Sequence, residues 1–433
     1  MTLAKQLRAA LRDMRWERIH DFGPIEDTFP EGTAPVLTDR PNLDLAVIAL
    51  NSQGELLDAA NVILSRDQPQ GLISNLDSTF TSTNITWQRW NQKRWDGERP
   101  WINSITNAKK KALIDPTQQA RGDVIFMSPY PASLFKLPLA FFLLEETSEQ
   151  RINRSDIRKN LRKMLTVSSN QATKDLLKTL HDIGRIGAMN RRFKRLGLGR
   201  IQIEGTDPTT GGNWGVGSIT MTSMDTAKLL WLIQSDPQGP ALWTQPNGKP
   251  ARSKLNRKDQ QILLKHLGDQ AFSETLSTAN FGVGGNSNDT LKTPANIEPG
   301  IPSRVPQRWI DPITGEVKFM YEGFAINYGE DVRPYNTSVA NKDFFHKTGL
   351  TYNFGSDAGI IRNSQDPDSP SYIISFISNL GFRYTDPAFA DRKSYPMYDD
   401  PKPIAYVQEI PRLGNNVDQL MDDLFGRHTS SKA

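Results

Sequence analysis

Strand-like and helix-like stretches are unevenly distributed along this chain of 433 residues, and their distribution restricts the fold more than any other feature. Residues 43–64 have the pattern of two strands, LDLAVIAL and ELLDAANVIL, joined by an Asn/Ser/Gly turn at residues 51–54. Helical periodicity dominates residues 133–235. Strand character returns at residues 358–362 and 371–378. We therefore predict that the two chain ends share one sheet and that the middle forms a helical lobe.

Two segments follow neither pattern and are interpreted as insertions, at about residues 66–120 and 236–340. The second is rich in Pro, Gly and Asn and contains one clear helix, around residues 258–267. The chain closes on an apolar i, i+3, i+4, i+7, i+8 stripe, which predicts a packing helix at about residues 416–426. We expect one enlarged domain over residues 1–433.

The composition excludes several kinds of chemistry. The chain has no cysteine, which rules out disulfides, thiolate nucleophiles, Cys-ligated zinc and iron–sulfur clusters. Its five histidines are scattered, so a His-rich metal site is not expected. No cofactor is predicted. A net charge of +4 gives no reason to expect a nucleic-acid partner. No apolar run reaches the length of about 18 residues that spans a bilayer.

The first residues, MTLAKQLRAALRDM, are charged and helical in pattern, and they lack the apolar stretch of a secretory signal. Two interpretations stay open: the protein remains inside the cell, or a signal was removed from a periplasmic or extracellular protein. The oligomeric state is open as well.

The first insertion contains four tryptophans interleaved with basic residues. Such a cluster can stack on sugars or nucleobases. Alternatively, the rings pack onto the main body with the basic side chains at the rim. The cluster consists of Trp87, Trp90, Trp95 and Trp101 with Arg89, Lys93, Arg94 and Arg99.

Ser133 and Lys136 form the first of three short motifs, in PASLFK after the strand-like residues 124–127. Their spacing places them on one face of a helix. A lysine there can take the serine proton if burial and nearby positive charge lower its pKa. The free N–H groups at the helix N-terminus would favour an oxyanion beside Ser133. The alternative is a helix cap followed by a surface lysine.

The other two motifs carry hydroxyl, amide and ammonium groups. In Ser168-Ser169-Asn170 a hydroxyl can relay a proton and an amide can orient substrate, although the same letters also describe an ordinary helix N-cap. Lys347-Thr348-Gly349 offers a cation and a hydroxyl to a substrate carboxylate, and its Gly lets substrate lie against a strand edge. The alternative for this third motif is a solvent-facing strand end.

In this order and with their flanks, the three motifs resemble those of the serine β-lactamase and penicillin-binding-protein superfamily, closest to its class A-like branch. The flanking segments ASLFKLPL, RKMLTVSSNQATKDLL and HKTGLTYNFGSDAGII add to the resemblance. It covers about residues 43–65, 124–235 and 340–380 and leaves both insertions outside. The resemblance implies an α+β, two-lobed fold in which the sheet is antiparallel and flanked by packing helices.

The resemblance also implies a role for each motif residue. Ser133 would be the acylated nucleophile and Lys136 its general base or proton relay. Ser168 would pass a proton to the departing nitrogen. The substrate would be held by Asn170, by Lys347, Thr348 and Gly349, and by an oxyanion hole made of the backbone N–H groups of Ser133 and Leu350.

The chain departs from the family pattern in three places. The gap from Ser133 to Ser168 is 35 residues, shorter than expected of a class A enzyme, so the helical lobe is expected to be trimmed. The middle residue of the second motif is Ser169, where the family most often has Asp. Class A enzymes also carry a Glu, usually followed by Pro, that activates the hydrolytic water. If the family's spacing is counted from Ser168, this residue corresponds to Glu204. If the chain is aligned on Leu196-Gly197 instead, it corresponds to Asp207. We lean towards Asp207 and keep Glu204 beside it; either could instead be a loop carboxylate that caps a turn.

His346, next to Lys347, raises the possibility of a Ser-His-Asp triad. Ser133 lacks the Gly-x-Ser-x-Gly elbow and already has a lysine at the base position, so we interpret His346 as a strand residue beside the cleft.

The sequence predicts one of three alternative functions. The first is a serine hydrolase that forms an acyl-enzyme on β-lactams or related amides without metal. The second is a D,D-peptidase, penicillin-binding enzyme or esterase on the same scaffold, which is favoured if neither loop carboxylate reaches the water. The third is a non-catalytic protein that binds cell-wall peptide. In each case the partner is a small-molecule or peptide substrate.

Overall fold

The computed structural model describes residues 1–22, 34–97, 114, 124–282, 297–366, 368–385 and 407–430. These residues contain fourteen strands: β1 (His20–Asp21), β2 (Leu43–Leu50), β3 (Leu56–Ser65), β4 (Gln68–Ile73), β5 (Ile85–Arg89), β6 (Val124–Ser128), β7 (Gln202–Ile203), β8 (Ile219–Thr220), β9 (Val317–Tyr321), β10 (Phe324–Tyr328), β11 (Lys342–Leu350), β12 (Gly355–Asn363), β13 (Ser371–Ser378) and β14 (Tyr384–Thr385).

The same residues contain ten α-helices: α1 (Leu3–Arg12), α2 (Gln92–Gly97), α3 (Lys136–Ser148), α4 (Arg154–Thr166), α5 (Asn170–Asp182), α6 (Ile186–Leu196), α7 (Ser223–Gln234), α8 (Arg257–Gly268), α9 (Arg333–Ser338) and α10 (Glu409–Ser430). None of the helices in these ranges is long and apolar enough to cross a membrane.

The central sheet has six antiparallel strands in the order β11-β12-β13-β2-β3-β4. Its middle pair joins the two ends of the chain, with Ile48 opposite Ile373 and Leu45 opposite Phe376. The β2–β3 hairpin forms at the expected turn, where Gly54 has a φ of +78° and donates its N–H to Asn51 O at 2.9 Å. The predicted α+β architecture, with one antiparallel sheet built from both chain ends, is confirmed.

Both faces of the sheet are covered, which explains the nearly unbroken apolar sequence of β2. Leu45 and Val47 contact the core under α1 and α10, whereas Ala46 and Ile48 contact the core formed with the middle of the chain. Asp44, on the second face, accepts a hydrogen bond from Ser223 N at 2.7 Å and thereby attaches the N-terminus of α7 to the sheet.

The helical lobe comes from the middle of the chain, as predicted. Helices α4 and α5 pack against each other, and α3 lies between this lobe and α8. Residues 137–147 of α3 are all buried: residues 137–144 are apolar, whereas Glu145 and Glu146 are buried with the guanidinium groups of Arg192 and Arg185. The segment around residues 258–267 is helical too, as α8.

The two predicted insertions hold more regular structure than their sequences suggest. The first contributes β4, β5 and α2. Its tryptophans Trp87, Trp90 and Trp95 are buried, and the Arg66 guanidinium lies 3.6 Å from the centre of the Trp95 ring. These three rings pack into the body, in line with the packing alternative. Trp101 and Arg99 lie outside the described residues.

The second insertion contributes α8, as predicted. It also contributes α9 and a β9–β10 hairpin, neither of which was predicted from the sequence. The hairpin packs on a separate apolar cluster in which Phe319 stands edge-on to Phe272, with ring centres 4.9 Å apart. The turn of the hairpin lies at Glu322 and Gly323, next to Asn170 at the start of α5.

Candidate active site

Ser133 and Lys136 lie in one continuous helical stretch, as their spacing predicts. A 3₁₀ turn over Ala132–Phe135 leads directly into α3, which begins at Lys136. Ala132 has a φ of +49°, in the left-handed region that non-glycine residues seldom adopt. This strained entry follows directly after Pro131 and places Ser133 at the start of the helical stretch, with its side chain partly exposed.

The Lys136 side chain is fully buried and connects the first motif with the second. Its Nζ donates to Ser168 O at 2.6 Å, to Asn170 Oδ1 at 2.8 Å and to Ser168 Oγ at 3.3 Å. An ammonium group has three donors, and all three have an acceptor here. The alternative of a surface lysine does not apply.

Ser168 and Ser169 divide two tasks between them at the start of α5. Ser169 caps this helix, since its Oγ accepts from Ala172 N at 3.2 Å. Ser168 has a φ of +57°, an uncommon value for serine. The N-cap alternative therefore describes Ser169, and Ser168 is left to direct its hydroxyl towards Lys136.

Lys347 approaches Ser168 from strand β11. Its Nζ donates to Ser168 Oγ at 3.1 Å and to Thr348 O at 2.8 Å, and both side chains are buried. Leu350 ends the same strand and is partly exposed. The structure thus brings Lys136, Ser168 and Lys347 together around one hydroxyl.

Gly349 lets β11 lie directly against the turn that holds Ser133. A Cβ on Gly349 would come within 2.6 Å of Leu134 N and would also collide with Pro131 O. Ser356 Oγ, on the neighbouring strand, donates to Pro131 O at 2.6 Å and holds the two segments together. A glycine is required here because two backbone segments meet without space for a side chain.

Burial and charge lower the pKa of both lysines. Burial, followed by the charge of Lys347, holds the pKa of Lys136 well below its usual range, and Glu322 opposes this shift. Burial lowers the pKa of Lys347 to about 7, against the opposing charges of Asp357 and Glu274. The lowered pKa of Lys136 favours the neutral amine, which is the form that a proton acceptor requires.

Glu322 is a site neighbour that the sequence analysis missed. It lies at the turn of the β9–β10 hairpin, and its Oε1 accepts a hydrogen bond from Asn170 N, the first residue of α5. The sequence FMYEGFAINY does contain a hairpin signal, two strand-like runs around Glu-Gly. Nothing in that local pattern tells where the tip of the hairpin comes to lie.

The structure places the carboxylates of Asp207 and Glu204 in other contacts. Asp207 Oδ1 accepts from the backbone N–H groups of Thr209 at 2.7 Å and Thr210 at 3.2 Å, and these bonds lower the pKa of Asp207. Glu204 Oε2 accepts from Arg89 Nη2 at 2.8 Å. Neither carboxylate hydrogen-bonds to Lys136 in the described part of the chain.

The loop that holds these carboxylates does reach the wall of the site. Trp214 lies 5.5 Å from Phe135 between ring centres, and its carbonyl oxygen accepts from Tyr130 Oη at 3.0 Å. The loop therefore reaches the segment that carries Ser133, while the two acidic side chains are engaged elsewhere.

His346 lies on the opposite face of β11 from Lys347 in a buried network. Its Nδ1 lies 2.8 Å from Asp357 Oδ1, and its Nε2 lies 3.2 Å from Ser273 Oγ. The three side chains are at most 3% exposed and Ser133 is not among them. They form a structural chain under the strand. In the described ranges, no group of three or more His, Asp or Glu side chains is arranged to hold a metal ion.

Comparison with known proteins gives structural matches only. No family model matches the chain, and no curated protein matches it. Solved structures similar to it include PBP-A, with 13% identity and a TM-score of 0.42 over 98% of each chain. Another is a β-lactamase from Xanthomonas campestris, with 10% identity and a TM-score of 0.42 over 97% of this chain and 98% of that one.

A third is an acyl-enzyme complex of a PBP-A mutant with penicillin-G, with 16% identity and a TM-score of 0.38 over 68% of this chain and 83% of that one. At these identities and TM-scores, the likeness does not bear on what the chain does. The architecture itself is the one that the resemblance to the serine β-lactamase and penicillin-binding-protein superfamily implies.

Proposed function

We propose that the chain is a serine hydrolase that forms an acyl-enzyme through Ser133 on β-lactams or related amides. The observation that carries the proposal is the buried Lys136 amine, which follows Ser133 by one helical turn and contacts Ser168 and Asn170. An amine with a lowered pKa beside a serine at a helix N-terminus is suited to activate that hydroxyl.

In the acylation step, the neutral Lys136 amine takes the proton of Ser133 Oγ, and the oxygen attacks the carbonyl carbon of the amide. The backbone N–H groups of Ser133 and Leu350 would stabilise the oxyanion that forms. The carbon–nitrogen bond then breaks, and the nitrogen receives a proton through the Ser168 hydroxyl. Ser168 fits this task because it contacts both lysines.

Lys347, Thr348 and Asn170 would bind the substrate. A carboxylate would pair with the Lys347 ammonium group and accept from Thr348 Oγ1. Binding would expel water from these buried groups and strengthen the pairing. Asn170 would hold the amide of the acyl group while its Oδ1 orients Lys136.

The test uses the full chain and a Ser133→Ala variant with a chromogenic cephalosporin and a fluorescent penicillin. We expect labelling and turnover in the wild type and neither in the variant. An intact-mass measurement should show one adduct per chain on Ser133. Absence of both product and adduct in the wild type would rule out the enzymatic proposals.

A D,D-peptidase or penicillin-binding activity on the same scaffold is the second candidate. The contacts of Asp207 and Glu204 favour it, because both carboxylates are engaged by other groups of the chain. If no group activates water, the acyl-enzyme persists. A stable adduct without turnover in the same experiment would support this candidate over the hydrolase.

A further inference from the structure

We propose that Glu322, at the tip of the β9–β10 hairpin, is the carboxylate that activates water for deacylation. This inference rests on the proposed acyl-enzyme function and assigns to an insertion the role that the sequence analysis gave to Asp207 or Glu204. The geometry behind it is the hydrogen bond from Asn170 N to Glu322 Oε1.

The position of Glu322 ties it to the catalytic motifs. Asn170 contacts both Glu322 and Lys136: its backbone N–H donates to Glu322, and its side-chain Oδ1 accepts from Lys136. The charge of Glu322 acts on Lys136 directly, as one of the two charges that shift the lysine's pKa. Lys347 is the other. Glu322 thus lies next to the second motif, and it is an exposed residue.

The hairpin that presents Glu322 is firmly anchored. Phe319 and Tyr321 stand edge-on to Phe272, with ring centres 4.9 and 5.5 Å away. Tyr328 packs in the same way on Phe281, at 5.6 Å. The tip is therefore held in place by an aromatic cluster below it, as a catalytic carboxylate needs.

A two-residue hairpin turn requires positive φ at the tip, but it does not require a glutamate there. Glu322 and Gly323 have φ values of +47° and +93°, so the two-residue turn has positive φ at both central positions. Such turns strongly prefer Asn-Gly, and a glutamate at the first position costs on the order of 1 kcal/mol or more. A side chain kept at an unfavourable backbone position and bonded to the catalytic motif indicates a functional role.

The deacylation step balances with Glu322 as the base. Its carboxylate takes one proton from a water molecule, and the water oxygen attacks the carbonyl carbon of acylated Ser133. The tetrahedral intermediate collapses as the carbon–Oγ bond breaks. Ser133 Oγ regains a proton from the protonated Glu322 or through Lys136, and the acyl group leaves as a carboxylic acid.

Two variants remove the carboxylate by different routes. Glu322→Gln keeps the length of the side chain. Glu322→Asn creates the preferred Asn-Gly turn, so it should fold at least as well as the wild type. Glu316→Gln is the matched control, because Glu316 precedes the same hairpin and pairs with Lys318 at 2.7 Å.

Acylation and deacylation are measured separately, by stopped-flow with a chromogenic cephalosporin and by intact mass after quenching. We expect deacylation to fall about 100-fold or more in both Glu322 variants, with accumulated acyl-enzyme and acylation within a few-fold of the wild type. Glu316→Gln should turn over normally. A shorter carboxylate, Glu322→Asp, should restore part of the deacylation rate.

Wild-type deacylation in Glu322→Asn, or faster deacylation, would overturn the proposal. A wild type that forms a lasting adduct without turnover would overturn it too, while leaving acyl-enzyme formation by Ser133 in place. A wild type that forms no adduct would overturn the proposed function itself.

Discussion

Lys136 and Lys347 donate hydrogen bonds to the same oxygen atom, Ser168 Oγ, at 3.3 and 3.1 Å. One lysine begins helix α3 and the other lies in strand β11. Two buried ammonium groups this close repel each other, so the arrangement is stable only when the proton affinity of at least one amine is reduced. The shared hydroxyl can exchange a proton with either neighbour, which suits a relay between a nucleophile and a leaving group.

Replacing Lys136 by Met should slow acylation strongly without unfolding the protein. Methionine is unbranched and fills a similar space, but it cannot take the proton of Ser133. We expect the rate of labelling by a fluorescent penicillin to fall about 10²- to 10⁴-fold.

Lys228→Met is the control for this variant, since Lys228 is another buried lysine whose Nζ donates to Thr79 O at 2.7 Å and Gly197 O at 2.9 Å. It should label at the wild-type rate. Equal labelling of Lys136→Met and the wild type would contradict the role of Lys136.

The affinity for carboxylate-bearing substrates should depend on pH through Lys347. Because burial lowers the pKa of Lys347 to about 7, its ammonium form is lost as the pH rises through that value. KM should then increase by up to about tenfold per pH unit above 7. An ester analogue of the substrate without the carboxylate provides the comparison, and an equal rise in its KM would argue against this assignment.

Gly349→Ala should weaken both the fold and the activity. The added Cβ would meet backbone atoms of Pro131 and Leu134, so β11 must move away from the turn that holds Ser133. We expect a loss of about 1–3 kcal/mol in the free energy of unfolding, together with slower acylation. Gly215→Ala is the control, because its added Cβ would point into open space. It should change neither the free energy of unfolding, measured in urea, nor the rate of labelling.

Glu274→Gln should alter how stability depends on pH. Burial raises the pKa of Glu274 to about 8, so the folded protein holds a proton that the unfolded chain releases above its ordinary value of 4.5. Wild-type stability attributable to this group is therefore full at low pH and is lost as the pH rises from 4.5 through 8. Relative to Glu274→Gln, the wild type should lose on the order of 4 kcal/mol across that interval. Urea unfolding of both proteins measures this. If the wild type and Glu274→Gln differ in stability by the same amount at pH 5 and at pH 8, the prediction is wrong.

Local patterns were sufficient for much of the fold. The β2–β3 hairpin follows from its apolar run and the Asn51–Gly54 turn, and α3, α4, α5 and α7 follow from their periodicity. The order of the three motifs along the chain, with the architecture they imply, led to the cluster of Lys136, Ser168 and Lys347. These features are predictable because each depends on neighbours in sequence or on a strongly patterned element.

Long-range placement was not predictable in the same way. Glu322 lies in a hairpin whose position depends on aromatic packing against residues 272 and 281, and no local signal reports that contact. Spacing alone likewise could not show that Asp207 is engaged by its own loop, although Asp-Pro-Thr-Thr-Gly-Gly is the kind of sequence in which an aspartate binds backbone N–H groups. The burial of Trp95 beneath Arg66 is a third case, since alternating aromatic and basic letters describe both a binding surface and a packed one.

The position of β2 in the sheet has a consequence for synthesis of the chain. All eight of its residues are buried, and one of its two neighbours, β13, begins only at Ser371. The ribosome therefore synthesises β2 and β3 long before β13. The edge of β2 that pairs with β13 stays unpaired and apolar through most of translation. Such an edge is a target for aggregation until the last strands emerge, so we expect the growing chain to depend on protection of residues 43–50 during this interval. The test is the solubility of chains truncated before residue 371 after their release from the ribosome. If they stay as soluble as the full chain, the expectation is wrong.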